Sequence, residues 1–268
     1  ILIEYKECGG QGVTFTGGEV TVYKGFKNVI KKAHELGLIV TVLTNGIRWD
    51  ENEILECSTY IDEIQISIDG YDRESYYAVR QFDGFDKAIS TLIKFSESGT
   101  RTSMAVTPLY DSLDEFVENF EPFAKSIIEK HPQIYIRFNL ELLEGRDVRK
   151  TKIDNVEYCR KIRALVERLY PNYYTETFPL NYAGHIIRKN CGFGEIAIAA
   201  NGDVYWCNRI HELSSRWNVM TTRIGEIMEQ SHRIKTNTDV DHSIVCRKCE
   251  IRYICGGSCR MNYSVILQ

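Results

Sequence analysis

Apolar and polar positions in the first half of the chain follow two alternating rhythms. Residues 13–16, 39–43, 64–68, 102–106 and 134–138 are short runs rich in β-branched and apolar side chains, which suits strands. Between them, residues 23–36, 85–95 and 113–130 carry apolar positions at helical spacing. This alternation predicts parallel strands joined by helical crossovers. Gly17-Gly18-Glu19 follows the first strand, Thr44-Asn45-Gly46 the second, and Ser67-Ile68-Asp69 closes the third. A barrel of βα units places its chemistry on such loops.

Past Gly145 the rhythm changes. Residues 155–169 read as one helix, followed by Pro171 and a tyrosine-rich stretch. Runs 195–200 and 203–207 flank Asn201-Gly202, a strong hairpin signal that delivers Cys207 to a strand end. Residues 224–234 form a short amphipathic helix, and a cysteine-rich run follows around Gly256-Gly257. The organisation expected is a partial barrel over 1–146, a helical bridge over 147–181 and a small cysteine-rich domain with a hairpin over 182–268.

At 268 residues there is room for about two cores. Hydrophobic content of 43% and charged content of 26% are those of an ordinary globular chain. No apolar run reaches the ~20 residues needed to span a bilayer. A formal net charge of −4 with scattered Lys and Arg gives no field for nucleic acid. The expectation is a cytoplasmic protein with neither membrane nor nucleic-acid partner.

Six of the nine cysteines carry the candidate chemistry. Cys191 and Cys207 are spaced C-x15-C, and Cys246, Cys249, Cys255 and Cys259 read C-x2-C-x5-C-x3-C. Thiolates at such spacing select zinc or iron–sulfur clusters, and a chain without secretory features favours metal over disulfides. One tetrahedral zinc site on the last four would leave Cys191 and Cys207 idle. Six thiols point to more than one centre. Cys8, Cys57 and Cys159 are expected to be small core residues.

Thr14-Phe15-Thr16-Gly17-Gly18-Glu19, Val42-Leu43-Thr44-Asn45-Gly46 and Ile66-Ser67-Ile68-Asp69-Gly70, in that order, resemble the radical SAM enzymes. The spacing from Cys191 to Cys259 is similar to the SPASM extension of those members that modify peptides and proteins. The resemblance implies an α/β fold, a partial (β/α)6 barrel lacking its first strand, followed by the SPASM domain. It implies S-adenosylmethionine held on a [4Fe–4S] cluster, whose electron releases a 5′-deoxyadenosyl radical that abstracts a substrate hydrogen. Gly17 and Gly18 would offer backbone, and Glu19 would accept from the methionine amine. Ser67 and Asp69 would meet the ribose hydroxyls or the carboxylate, Arg80 would pair with that carboxylate, and Asn45 is a turn residue with a secondary cofactor contact. Val20 stands where the family usually has proline.

On the family pattern Cys191, Cys207 and Cys259 hold one auxiliary [4Fe–4S] cluster. Cys246, Cys249 and Cys255 hold a second, and His185 is a candidate further ligand of the first. The implied activity is a thioether or carbon–carbon crosslink on a ribosomally made peptide or protein, with flavodoxin or ferredoxin as electron donor. Sulfatase maturation is disfavoured, because Asn208 stands where those enzymes carry an aspartate base. The radical-cluster loop C-x3-C-x2-C is absent from these residues. A chain that begins one βα unit late, inactive by itself, and a natural pseudo-enzyme that binds a peptide without making a radical both remain open.

Overall fold

The computed structural model describes residues 1–140, 142, 153–171, 186–207 and 217–257. Contacts divide the chain into two compact units, Gln11–Pro179 and Ile1–Gly10 with Leu180–Gln268.

The larger unit is built on five parallel strands: β1 (Gly12–Phe15), β2 (Ile39–Thr44), β3 (Glu63–Ser67), β4 (Arg101–Val106) and β5 (Tyr135–Phe138). They lie side by side in chain order β1-β2-β3-β4-β5. In the register, Phe15 pairs with Val42, Thr44 with Ile66, Ser67 with Ala105 and Val106 with Phe138. Parallel neighbours need crossovers, and chain-order winding sends each one the same way round. This is the singly wound pattern of a βα barrel. The C-terminal strand ends, and the loops that leave them, therefore share one edge.

Alternation along the strands separates two faces. Val40, Val42, Ile64, Ile66, Met104 and Ile136 are buried on one of them. The helices that cover this unit are α2 (Phe26–Glu35), α3 (Glu51–Cys57), α4 (Arg73–Arg80), α5 (Phe85–Glu97), α6 (Leu113–Lys130) and α7 (Asn155–Leu169). The opposite face is polar: Thr41, Gln65 and Ser67 are half-buried on it, and Glu63 meets Arg137 at 3.4 Å. A parallel sheet is usually apolar on both sides, so this half-buried polar face departs from the usual pattern.

The segment read from sequence as one helix over 23–36 is helical only over α2, Phe26–Glu35, with a separate 3-10 turn ahead of it at Val20–Val22. Helices α3 and α4 escape the periodicity because each spans about two turns, too few to show a stripe. Both are started by capping boxes, Asp50 with Glu53 and Asp72 with Ser75, the local signal that marks them. Helix α7 packs on α6 through Leu113, Tyr158, Ile162 and Val166.

In the smaller unit, α1 (Leu2–Glu7) packs with the helix Ile224–Asn237. Tyr5 joins a core of Val204, Ile224 and Ile227. The Glu4 carboxylate accepts from the Ile224 N–H at 3.0 Å and so caps that helix, whose own N-cap Arg223 supplies no side-chain bond. The expected hairpin is present as Ala197–Ile198 against Val204–Tyr205. Gly202 at its turn has φ +88°, a conformation that suits glycine.

Gly70, between β3 and α4, is a point of forced close approach. A Cβ there would lie 2.5 Å from Tyr76 Cα and 2.8 Å from the Ser75 carbonyl carbon. Gly70→Ala should cost about 1–3 kcal/mol or more, because helix backbone must move. The thermal midpoint followed by circular dichroism should fall by roughly 2–4 °C for each kcal/mol lost.

Candidate functional site

Glu19 sits at the shared C-terminal edge, on the loop that leaves β1. Its Oε1 accepts from the Thr44 hydroxyl at 2.7 Å, the Thr21 hydroxyl at 2.9 Å and the Thr21 N–H at 3.3 Å. Its Oε2 accepts from the Asn45 N–H at 2.8 Å. A carboxylate has about four acceptor sites, two on each oxygen. Oε1 is saturated, and Oε2 keeps an unused lone pair. Glu19 is half-buried, and among the described residues no cation forms an ion pair with it. All of its donors are neutral.

Gly17 and Gly18 flank this carboxylate and are exposed. A Cβ added at either meets nothing within 4 Å. Neither glycine is required by packing, so the gap beside Glu19 is open to another molecule. Asn45 is a turn residue whose Oδ1 accepts from the Ile47 N–H at 2.9 Å, while its own N–H serves Glu19.

The second cluster is at the ends of β3 and β4. Asp69 is 4% exposed. Its Oδ1 accepts from the Thr107 N–H at 2.6 Å, and its Oδ2 meets Arg80 at 2.6 Å. Arg80 is the last residue of α4, with its Nε buried and without a hydrogen-bond partner. In this structure Arg80 therefore engages Asp69, and it retains guanidinium donor capacity beside that pair. Ser67 is half-buried on the polar face, one strand position from Ile68.

Burial pushes the Asp69 carboxyl above its ordinary value of 3.8, and the Arg80 guanidinium and the Thr107 N–H only partly offset it. The folded chain thus holds a proton on Asp69 at pH values where the unfolded chain has released it. Stability from this group falls as pH rises above 3.8. The stability of the native chain minus that of Asp69→Asn, from urea unfolding, should decrease as pH rises from that value. A flat difference would show that Arg80 fully compensates the burial.

The cysteines divide. Cys57 is buried in α3, where burial pushes its thiol up to about 11. Cys159 is half-buried, and Cys8 is exposed rather than in the core. Cys191 and Cys207 are half-buried, Cys246 is buried, and Cys249 and Cys255 are exposed. Among the described residues no disulfide joins two cysteines. The backbone brings some of their segments together. The Asn190 N–H donates to Gly256 O at 3.0 Å and its Nδ2 to Cys255 O at 2.7 Å, while the Gly194 N–H donates to Trp206 O at 2.6 Å. Cys191 lies between these two attachments. Among the described residues, however, no three His, Cys, Asp or Glu side chains gather as a metal-binding group. Cys259, His185 and Asn208 lie outside the described residues.

Sequence reasoning missed Thr44, Thr21 and Thr107, which hold the two carboxylates. Thr44 stood inside a quoted motif, and its position at the buried end of a strand was the available signal.

The family model described as the Radical SAM superfamily matches residues 1–122. The sporulation killing factor maturation protein SkfB of Bacillus subtilis (strain 168) is 32% identical over 116 residues, 42% of this chain and 28% of that protein. The mycofactocin maturase MftC of Mycolicibacterium smegmatis is 38% identical over 112 residues, 39% of this chain and 28% of that protein. The chain thus spans well under half the length of either relative. Among solved structures, Streptococcus suis SuiB superposes with a TM-score of 0.68 at 18% identity, covering 100% of this chain and 66% of that one. That likeness shows the fold. The match to the Radical SAM superfamily model over residues 1–122 takes in β1 to β4 and the carboxylate of Gly17-Gly18-Glu19 at the C-terminal edge of the sheet.

Proposed function

We propose that this chain is part of a radical SAM enzyme that modifies a ribosomally made peptide or protein, by a thioether or carbon–carbon crosslink. The observation that carries the cofactor reading is Glu19: a half-buried carboxylate with neutral donors, an unused lone pair on Oε2 and open space at both neighbouring glycines. An alkylammonium group is the ligand such a site accepts, through a charge-assisted hydrogen bond. The amine of S-adenosylmethionine fits it, and Gly17 and Gly18 leave room for its main chain. Ser67 on the polar face and the Arg80 guanidinium, steadied by Asp69, would meet its hydroxyls and carboxylate.

Bound to a reduced [4Fe–4S] cluster, S-adenosylmethionine supplies a hydrogen-abstracting radical. The residues of this chain hold and orient it. The peptide reading rests on similarity: SkfB and MftC are named as maturation proteins, and SuiB has been crystallised with its precursor peptide SuiA. A flavodoxin or ferredoxin would supply the electron. The cysteines of residues 191–259 would carry one or two auxiliary clusters, as a SPASM domain does. No helix among the described residues is long and apolar enough to cross a membrane, and a cytoplasmic location suits free thiols.

Glu19→Ala should weaken S-adenosylmethionine binding about tenfold or more, the equivalent of ~1.5–3 kcal/mol for a lost charge-assisted hydrogen bond. Calorimetry on the anaerobically purified intact protein measures it, and unchanged affinity removes Glu19 from the site. Gly18→Ala meets nothing within 4 Å, so it should leave the thermal midpoint unchanged while lowering the same affinity. The protein itself should be brown, with broad absorption near ~400 nm and several irons per chain. A colourless protein with one zinc per chain would sink the iron–sulfur reading.

A further inference from the structure

The Thr44 hydroxyl donates the shortest of the four hydrogen bonds to Glu19, at 2.7 Å. A threonine hydroxyl has one hydrogen and two acceptor lone pairs. Both lone pairs are occupied here, by the indole Nε1–H of Trp49 at 3.1 Å and the Gly46 N–H at 3.2 Å. The single hydrogen is left with one direction to point, toward Glu19 Oε1. Thr44 is 4% exposed and Trp49 2% exposed, so no solvent competes for these bonds.

Trp49 is itself held rigidly. Its ring is edge-on to Phe26 at 6.0 Å and to Phe95 at 4.9 Å. The loop between them is closed from within, since Asn45 Oδ1 accepts from the Ile47 N–H and the buried Thr91 hydroxyl donates to Gly46 O at 2.7 Å. Immediately after Trp49, Asp50 caps α3. The indole N–H therefore arrives at Thr44 from a side chain that cannot swing away.

We propose that Trp49 is a positioning residue for Glu19, acting through the Thr44 hydroxyl. The inference rests on the reading of Glu19 as acceptor for the ligand's ammonium group. By fixing the hydroxyl as the shortest of the three donors to Oε1, Trp49 holds the carboxylate in the orientation that leaves the unused lone pair of Oε2 for the ligand. Thr44 and Trp49 touch neither ligand nor reacting atoms in this scheme. They set the orientation of the group that does.

The test uses two probes on the intact, cluster-loaded protein. S-adenosylhomocysteine carries the amine, and 5′-methylthioadenosine lacks it. Trp49→Phe keeps an aromatic ring between Phe26 and Phe95 and removes only the N–H. Thr44→Val removes the hydroxyl at nearly constant shape. Each should weaken S-adenosylhomocysteine about three- to tenfold, the range of one neutral hydrogen bond, and leave 5′-methylthioadenosine unchanged. Thr44→Ser, which keeps the hydroxyl, should bind both as the native protein does. Equal weakening of both probes would show a merely structural role and overturn the proposal, as would no change in either. Glu19→Ala separates the two layers. If it discriminates between the probes while Trp49→Phe and Thr44→Val do not, the relay alone fails. If Glu19→Ala itself leaves S-adenosylhomocysteine affinity intact, the amine reading fails and the relay falls with it.

Discussion

The hydrogen bonds from Thr44 and Asn45 to Glu19 join the loop after β1 to the end of β2, and the open mouth of the sheet depends on them. A half-buried carboxylate without a basic partner is costly unless oriented dipoles replace the water it has lost. Here hydroxyl and backbone donors do so, and the carboxylate is held in one orientation by the fold itself. The arrangement is available because β1 and β2 are parallel neighbours in register, with Phe15 beside Val42. Their exits then face each other across one strand spacing. A slip of one residue would turn Thr44 to the other face and remove the donor.

A second anchor follows the same logic two strands along. Asp69 leaves β3, the Thr107 N–H leaves β4, and Arg80 returns from the end of α4 to meet them. The charge of Arg80 is thereby held at the C-terminal edge. The two faces of the sheet differ in character. The apolar side of β2, β3 and β4 packs under helices and supplies the hydrophobic drive, while the polar side is half-buried. A sheet buried on both faces would be more stable and would have no place for a polar ligand.

The smaller unit rests on a more modest base: a two-stranded hairpin and a core of Val204, Ile224 and Ile227 joined by Tyr5. Main-chain bonds contribute much of its order. Ile187 donates to Tyr253 O, Asn190 to Gly256 O and Val240 to Arg188 O. Residues 187–190 therefore stitch two loops together just ahead of Cys191. Gly256, with φ +66°, lies where a Cβ would press on Asn190 at 3.1 Å, so the tight approach of these loops requires glycine.

Much of the fold was legible in the residues alone. Buried parallel strands are local apolar runs, so β1 to β5 could be read within a residue or two, as could α5, α6 and α7. Helices α3 and α4 were missed because two turns carry too little periodicity, although Asp50 and Asp72 announced their starts. Gly17-Gly18-Glu19 stood out because two glycines beside a carboxylate exceed what a turn needs. What the sequence could not decide was partnership. Glu19 meets Thr44 across 25 positions and Asp69 meets Thr107 across 38, and Arg80 engages Asp69 within the protein. Ile1–Gly10 runs directly into β1, yet Glu4 and Tyr5 tie it to the helix Ile224–Asn237. The physical reason is the reach of each signal. Hydrophobic period and turn chemistry act over a few residues and are written in order along the chain. A hydrogen bond between distant side chains exists only once strand register and burial have brought the two together and removed the water that would otherwise satisfy them.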